Sequence, residues 1–211
     1  MSLRLGDTAP NFKAQTTQGE IDFYEYLGNS WGVFFSHPAD FTPICTTELG
    51  RTAQLADEFA KRNAKIIAIS VDPLDSHQKW VQDINEVGQT QVNYPIIADP
   101  DRKIATLYDM IHPNASETHT VRNVFIIDPD KKIRLILVYP PSIGRNFYEI
   151  LRALDALQLT TQYPVSTPVD WKEGEDVVIA PSLPDEEARK RFPKGFRVVK
   201  PYLRFTPQPN K

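Results

Sequence analysis

Residues 32–45 read GVFFSHPADFTPIC. Its first six residues, Gly32–His37, form an apolar run bounded by glycine and proline, which predicts a buried strand. Thr42 and Pro43 then match the N-cap and the first position of a helix. Threonine can accept a hydrogen bond from a free backbone N–H, and proline has no N–H to lose. The stretch therefore predicts a strand, a loop and a helix whose first turn contains Cys45.

Cys45 is the only cysteine among the 211 residues. A single thiol cannot form an internal disulfide, and it cannot supply the several cysteine ligands of a structural zinc site. At a helix start, unpaired N–H groups and the positive end of the helix dipole favour a thiolate over a thiol. We therefore predict a reactive cysteine. The alternative is a small buried hydrophobic residue, as lone cysteines in intracellular chains usually are.

Composition and charge limit the class of protein. With 41% apolar and 24% charged residues the chain is typical of a soluble globular protein. A net charge of −3 gives no general attraction to nucleic acid or to an anionic membrane. The N-terminus lacks the apolar core of a signal peptide, and no apolar run approaches the roughly 20 residues of a membrane helix. We expect a cytoplasmic protein that neither binds nucleic acid nor inserts into a membrane. A transit peptide that has been removed is the alternative.

The remaining pattern alternates strands with helices. Leu49, Ala53, Ala56 and Ala60 repeat at helical spacing after the Thr42–Pro43 cap, which predicts one helix through this region. Two β-rich runs, 122–127 and 133–139, flank a turn-forming sequence and predict a hairpin. Further strands are expected at 65–71 and 95–98, and helices from about 76, over 104–107 and over 147–157. This order predicts an α/β layered fold.

The composition changes near residue 163, because eight of the 18 prolines lie between residues 164 and 211. Strand-like runs occur at 177–179, 196–199 and 202–205, and the acidic and basic ends of 185–191 match a helix dipole. So short a segment cannot form a sturdy core alone. We predict a main domain over residues 1–162 and a C-terminal domain over 163–211 that packs on the main domain or on a partner subunit.

Pro38, Thr42 and Cys45, at the end of an apolar strand, resemble the peroxidatic signature of the peroxiredoxins. The longer run 36–50, SHPADFTPICTTELG, resembles the one-cysteine, peroxiredoxin 6-like branch of that family. The resemblance spans nearly the whole chain. Further segments that share it are Arg122, GRNF at 144–147, TPVDW at 167–171 and FPKG at 192–195. It implies a thioredoxin-like fold, with a mixed central sheet flanked by helices and a small C-terminal α+β extension that supports a homodimer.

The resemblance also implies a reaction, in which a Cys45 thiolate reduces hydrogen peroxide or an alkyl hydroperoxide and becomes a sulfenic acid. The site must then stabilise negative charge first on sulfur and next on the leaving oxygen, which a helix N-terminus and an arginine can do. Arg122, at the start of an apolar strand, is the arginine that the resemblance places on the sulfur. Its alternative is a surface charge at a strand end.

Four more residues are expected at this site. The resemblance implies that the Thr42 hydroxyl accepts from the peroxide and donates to the thiolate, although capping alone would explain a threonine here. Pro38 would shield the sulfur from water and shape the loop, unless it only terminates the strand. Glu48 is expected to orient an arginine, Arg122 or Arg145, unless it is simply an exposed acid favoured by the helix dipole. His37 could hydrogen-bond in the pocket or be a structural histidine.

No metal site is expected, because His77, His112 and His119 lack the spacing of metal ligands. No cofactor is expected either. Recycling of the sulfenic acid normally uses a second cysteine, and this chain has none. An external thiol must therefore resolve Cys45. Glutathione, a glutaredoxin and a thioredoxin-type protein all remain open.

A serine hydrolase and a redox-regulated holdase are the two alternative functions. Gly28–Gly32 reads GNSWG and fits the G-x-S-x-G pattern of serine hydrolases. Similar animal peroxiredoxins are credited with phospholipase A2 activity, and Ser30 and Asp130 match that set. Tyr24, however, stands where the histidine would be, and the pattern precedes a strand instead of following one. The third class is a redox-regulated holdase, which a peroxide-consumption assay would distinguish because a pure binding protein gives no turnover.

Overall fold

The computed structural model of the protein describes residues 2–211. The chain divides into two compact units, and the division falls between Phe147 and Tyr148. The boundary predicted after residue 162 lies further along the chain, at the end of helix α6 (Phe147–Gln162), and it stays a prediction.

The first unit is built on a seven-stranded sheet. Its strands are β1 (Lys13–Thr16), β2 (Gly19–Asp22), β3 (Trp31–Ser36), β4 (Ala64–Ser70), β5 (Ile96–Ala98), β6 (Arg122–Ile127) and β7 (Ile133–Tyr139). They lie in the order β2-β1-β5-β4-β3-β6-β7. β3 pairs in parallel with β4 and antiparallel with β6, so the sheet is mixed. Every residue of β3 and β6 is buried, as is typical of central strands that are covered on both faces.

Five helices accompany these strands: α1 (Phe23–Leu27), α2 (Pro43–Gln54), α3 (Ala56–Lys61), α4 (Leu74–Gly88) and α5 (Lys103–Leu107). A core cluster of aromatic and branched residues includes Phe23, Phe34, Ile67, Tyr108 and Phe125. Phe34 and Tyr108 meet edge to face, with ring centroids 4.9 Å apart, a favoured geometry for aromatic pairs. The predicted α/β architecture is confirmed.

Two features of this unit differ from the sequence prediction. The prediction of a single helix running past Ala56 is wrong. The backbone of Leu55 leaves the helical range, with ψ 8°, and its side chain is buried. The chain bends there, and α3 begins at the next residue. The hairpin of β1 and β2 was not predicted from the pattern, since each strand has only four residues. Its turn ends at Gly19, whose φ of 97° lies in the region that favours glycine.

The second unit contains the rest of α6 and a small antiparallel sheet. Its elements are β8 (Val165–Ser166), β9 (Val177–Ile179), α7 (Asp185–Arg191), β10 (Arg197–Lys200) and β11 (Leu203–Thr206). The strands lie in the order β10-β11-β9-β8. A small apolar core includes Val165, Trp171, Val177 and Phe192. The strands and the helix expected in this region are therefore confirmed. Over residues 2–211, no helix has both the length and the apolar character needed to cross a membrane.

Candidate active site

Cys45 lies in the first turn of α2, as predicted. The strand β3 ends at Ser36, the loop 37–42 follows, and Pro43 is the first residue of α2. Thr42 has the extended backbone of an N-cap residue, with φ −121° and ψ 150°. Cys45 is fully buried. The fold therefore places the thiol at the positive end of the helix and away from bulk water.

Thr42 occupies the N-cap position without making the expected cap. Its hydroxyl donates to the carbonyl of Ala39 at 2.7 Å, and no hydrogen bond joins its side chain to the helix. The predicted bond from a free backbone N–H to Thr42 is wrong, because the hydroxyl is directed to Ala39 within the loop and its oxygen does not reach an N–H of the first turn. The N–H groups of the first turn thus keep their capacity for an anion.

Arg122 contacts the sulfur of Cys45. Its Nη1 lies 3.3 Å from the Cys45 Sγ atom, and Nε and Nη2 donate to the carbonyl of Pro141 at 3.0 and 2.7 Å. Only 3% of the residue is exposed, so the alternative of a surface charge at a strand end is wrong. The two bonds to Pro141 fix the plane of the guanidinium group beside the thiol.

Glu48 joins Arg122 and Arg145 in one buried cluster. Its Oε1 accepts from Arg122 Nη1 at 2.6 Å and from Arg145 Nη2 at 2.8 Å, and its Oε2 accepts from Arg145 Nε at 2.7 Å. The carboxylate orients both arginines that were considered for it. It is 3% exposed, so the alternative of an exposed first-turn acid is wrong. Burial alone would raise the pKa of Glu48, but hydrogen bonds and charge from Arg145 and Arg122 hold it below its ordinary value.

The charges of this cluster do not balance without Cys45. Two guanidinium groups face one carboxylate, and all three side chains are at most 3% exposed. Buried charges are costly unless they are paired. A thiolate at Cys45, next to Arg122, would bring the net charge of the four side chains to zero.

Arg145 is fixed on its other side as well. Its Nη1 donates to the carbonyl of Asn123 at 2.8 Å, and its guanidinium lies 5.1 Å from the ring centre of Phe35. Such stacking suits a planar cation. Arg145 thus supports Glu48 and is not placed on the sulfur.

His37 and Pro38 begin the loop that leads to α2. Pro38 is half-buried, and its shielding of the sulfur stays a prediction. His37 is fully buried, and its Nε2 lies 2.8 Å from Asp40 Oδ1. Burial lowers the pKa of His37 against the opposing effect of Asp40, so the ring is neutral. Among the residues described, no side chain or backbone group hydrogen-bonds to His37 Nδ1.

Asp40 and His77 belong to this region but were not identified from the sequence. Asp40 Oδ2 lies 2.6 Å from His77 Nδ1, and the two residues come from different elements. Atoms of His37, Asp40 and His77 that could bind a metal all lie within 4.8 Å of one another. Spacing along the chain gave no sign of this, because folding alone brings His77 to the loop. The separations of 2.6 and 2.8 Å are those of hydrogen bonds.

Ser30 shows no hydrolase arrangement. It lies between α1 and β3, so a strand follows it where a nucleophile elbow needs a helix. Its hydroxyl is 3.1 Å from Asn63 Oδ1, which can only accept. The Tyr24 hydroxyl donates to the carbonyl of Ala9 at 2.5 Å and is not directed to the serine.

Comparison with known proteins supports the peroxidase interpretation. The chain matches the AhpC/TSA family over residues 5–136 and the C-terminal domain of 1-Cys peroxiredoxin over residues 156–195. A relative described as a 1-Cys peroxiredoxin from Dictyostelium discoideum is 58% identical, over 99% of this chain and 87% of the relative.

Two solved structures are similar throughout. A cysteine-to-serine mutant of the peroxiredoxin 6 of Arenicola marina gives a TM-score of 0.94 at 46% identity, covering 100% of both chains. A yeast mitochondrial 1-Cys peroxiredoxin gives 0.91 at 53% identity, covering 97% of this chain and 99% of the other. The latter was studied for its thiol resolving mechanism via glutathione and thioredoxin systems.

Proposed function

The chain belongs to the 1-Cys peroxiredoxins and has their thioredoxin-like fold, and we propose that it reduces peroxides with Cys45 as the nucleophile. The observation that supports this assignment best is the Arg122 Nη1 atom 3.3 Å from the Cys45 sulfur. Hydrogen peroxide and small alkyl hydroperoxides are the proposed substrates.

The chemical step is a displacement on oxygen. The Cys45 thiolate attacks one oxygen of the peroxide, the O–O bond breaks, and the second oxygen leaves with the electron pair of that bond. It takes a proton to give water or an alcohol, while Cys45 becomes a sulfenic acid. Arg122 faces the sulfur and can stabilise negative charge both before and during the transfer, from a position that Glu48 and Pro141 hold fixed.

Thr42 and Pro38 are proposed to complete the site. The Thr42 hydroxyl directs its proton to Ala39, so its oxygen remains free to accept a hydrogen bond from the O–H of a peroxide. In this arrangement it has no proton for the thiolate. Pro38, half-buried in the same loop, would limit the access of water to the sulfur.

Regeneration requires a thiol from outside the chain, since Cys45 is the only cysteine. We propose glutathione, with or without a glutaredoxin, or a thioredoxin-type protein as the reductant. The yeast relative, whose thiol resolving mechanism works via glutathione and thioredoxin systems, supports this choice. Turnover should be measured by peroxide consumption with glutathione alone, with glutathione and glutaredoxin, and with thioredoxin and its reductase. Absence of turnover with all three, alongside turnover with dithiothreitol, would reject this set of reductants.

We also propose a homodimer. Strand β7 forms an edge of the large sheet, where β6 is its sole hydrogen-bonded neighbour among the strands of residues 2–211. Backbone hydrogen bonds with Gly6 and Asp7 cover Ile133 at the start of this edge, and the edge beyond Ile133 can accept a strand from a second copy. In the C-terminal unit Val169, Val198 and Tyr202 are 88%, 57% and 69% exposed, which is apolar surface suited to a partner. Light-scattering mass of the full chain tests this, and a monomer at micromolar concentration would reject it.

A cytoplasmic location is proposed on the sequence alone. One similar protein is described as mitochondrial, so the alternative is an organelle. Fractionation of cells that express the full gene would decide, since co-purification with mitochondria contradicts the proposal.

A further inference from the structure

A second group of buried polar side chains, which peroxide chemistry as proposed does not use, surrounds Asp40. This residue lies in the loop 37–42, and its side chain is 1% exposed. Its Oδ1 is 2.8 Å from His37 Nε2, and its Oδ2 is 2.6 Å from His77 Nδ1 and 2.9 Å from Ser76 Oγ. Ser76 and His77 lie in the first turns of α4. The carboxylate therefore ties the loop to another helix.

The protons of this group can be assigned from its hydrogen bonds. His77 Nε2 lies 2.9 Å from the carbonyl oxygen of Ile97, which can only accept, so Nε2 carries a proton. His77 Nδ1 faces the Asp40 carboxyl group, and one proton must lie between them. Burial raises the pKa of Asp40, but hydrogen bonds from His37 and His77 outweigh it and hold the pKa well below its usual range. An ionised Asp40 can only accept, so both ring nitrogens of His77 then act as donors, Nδ1 to Asp40 and Nε2 to Ile97.

The loop is fixed at further points on both sides of Asp40. The backbone N–H of Asp40 donates to Asp72 Oδ2 at 3.0 Å. The next residue, Phe41, has a φ of 55°, which a bulky side chain rarely adopts. Such strain persists only where the surrounding structure fixes it. Here the Asp40 carboxylate holds one side of Phe41, and the bond from Thr42 to Ala39 holds the other.

We propose that His77 is a positioning residue for the peroxidase reaction. As an imidazolium it holds the Asp40 carboxylate, and through Asp40 it fixes the loop that places Thr42 and the first turn of α2. His77 acts through Asp40 and has no contact with Cys45 in this role. The inference rests on the proposed function of Cys45.

Two conservative variants separate positioning from packing. In His77→Asn the amide nitrogen takes the place of Nδ1 and still donates to Asp40. In His77→Gln it takes the place of Nε2, so it donates to Ile97 and leaves Asp40 without this partner. We expect His77→Asn to keep the oxidation rate of Cys45 within about threefold of wild type. His77→Gln should lower it about 10- to 100-fold, the effect of a small misplacement of reacting groups.

The rate is measured by mixing reduced protein with hydrogen peroxide, quenching, and reading sulfenic acid by intact mass, with melting temperatures taken alongside. His119→Gln, at an exposed position, is the control and should match wild type. A His77→Gln protein that reacts as fast as His77→Asn would overturn the inference. If wild-type Cys45 itself fails to react, the proposed function is lost and this inference with it.

The protonation state is tested on the wild-type protein, which needs no variant to fold. Nitrogen NMR of the His77 ring should show both nitrogens protonated at neutral pH, and an unprotonated Nδ1 would contradict the proposal. In Asp40→Asn the amide can donate to a neutral His77 and accept from His37. Both hydrogen bonds between the loop and its partners are then kept, without an ion pair. That variant should show His77 with one ring proton, and an imidazolium persisting there would overturn the assigned pairing.

Discussion

Arg122 Nη1 lies 3.3 Å from the sulfur of Cys45 and 2.6 Å from Glu48 Oε1, so one nitrogen serves both the nucleophile and the carboxylate that fixes it. The thiol and the carboxylate are three residues apart on α2, hence on the same face of the helix. Arg122 therefore connects the nucleophile to the carboxylate, and a change on either side of it should alter the reactivity of the sulfur.

Replacing Arg122 with alanine should reduce the thiolate fraction of Cys45, because the cation beside the sulfur is lost. We expect alkylation of Cys45 at pH 7 to slow, and the rate of oxidation by peroxide to fall about 10²- to 10³-fold, as for the loss of a preorganised donor. Lysine at this position should restore only part of the rate, since it lacks the planar fork that also reaches Pro141. Arg4→Ala, at an exposed site, is the control. An alkylation profile over pH that is unchanged in Arg122→Ala would refute the role.

Replacing Glu48 with glutamine should act in the opposite direction on the sulfur. Arg122 then keeps its charge without a carboxylate beside it, so alkylation of Cys45 at acidic pH should become faster. Two buried guanidinium groups lose their counter-charge, which should lower the free energy of unfolding by about 3–5 kcal/mol. Glu58→Gln, in a partly exposed ion pair, should cost much less. Slower alkylation in Glu48→Gln would contradict the charge account.

The pH dependence of stability follows from the lowered pKa of Glu48. A carboxyl whose folded-state pKa is depressed stabilises the protein fully above its unfolded pKa, near 4.5, and loses that contribution as the pH falls through the folded value. Denaturant titrations of the wild type should therefore show stability falling below about pH 4.5. Glu48→Gln should lack this part of the decline. If the stability of the two proteins declined in parallel across the acid range, Glu48 would not be the source of this pH dependence.

Cys45 should over-oxidise when peroxide is in excess and reductant is scarce. With no second thiol in the chain, the sulfenic acid can meet another peroxide molecule before an external thiol arrives. Intact mass should show the addition of two and then three oxygen atoms. A sulfenic acid that persists at a large excess of peroxide would argue against this expectation.

Truncation after Leu159 should disturb assembly. It removes α7 and all four strands of the small sheet, including Trp171 and Phe192 of its core. The apolar surface that these residues cover would then be exposed to water. We expect a monomeric or aggregating chain with weaker peroxidase activity, measured by light scattering alongside turnover. A truncated chain with the oligomeric state and activity of the full-length protein would show that the segment is dispensable.

Local sequence signals predicted much of this structure. The hairpin of β6 and β7 has the predicted bounds, because a turn-forming sequence separates two β-rich runs, and Thr42–Pro43 marked the start of α2. The break at Leu55 escaped prediction since helical spacing continues across it. Glu48 and Arg145 are 97 residues apart, and Asp40 and His77 are 37 apart. Their contacts depend on the tertiary fold. The place of Glu48 beside the Cys45 turn suggested an arginine partner, Arg122 or Arg145, and nothing in the sequence suggested the second pair.

The central claim is that Cys45 alone carries the peroxidase chemistry. The most direct test compares wild type with Cys45→Ser, because a hydroxyl is far less ionised than a thiol at neutral pH. Both proteins are treated with one equivalent of hydrogen peroxide, weighed by intact mass, and assayed for turnover with excess dithiothreitol. The account predicts one added oxygen and sustained turnover for the wild type, and neither for Cys45→Ser. Appreciable peroxide turnover by Cys45→Ser would contradict it.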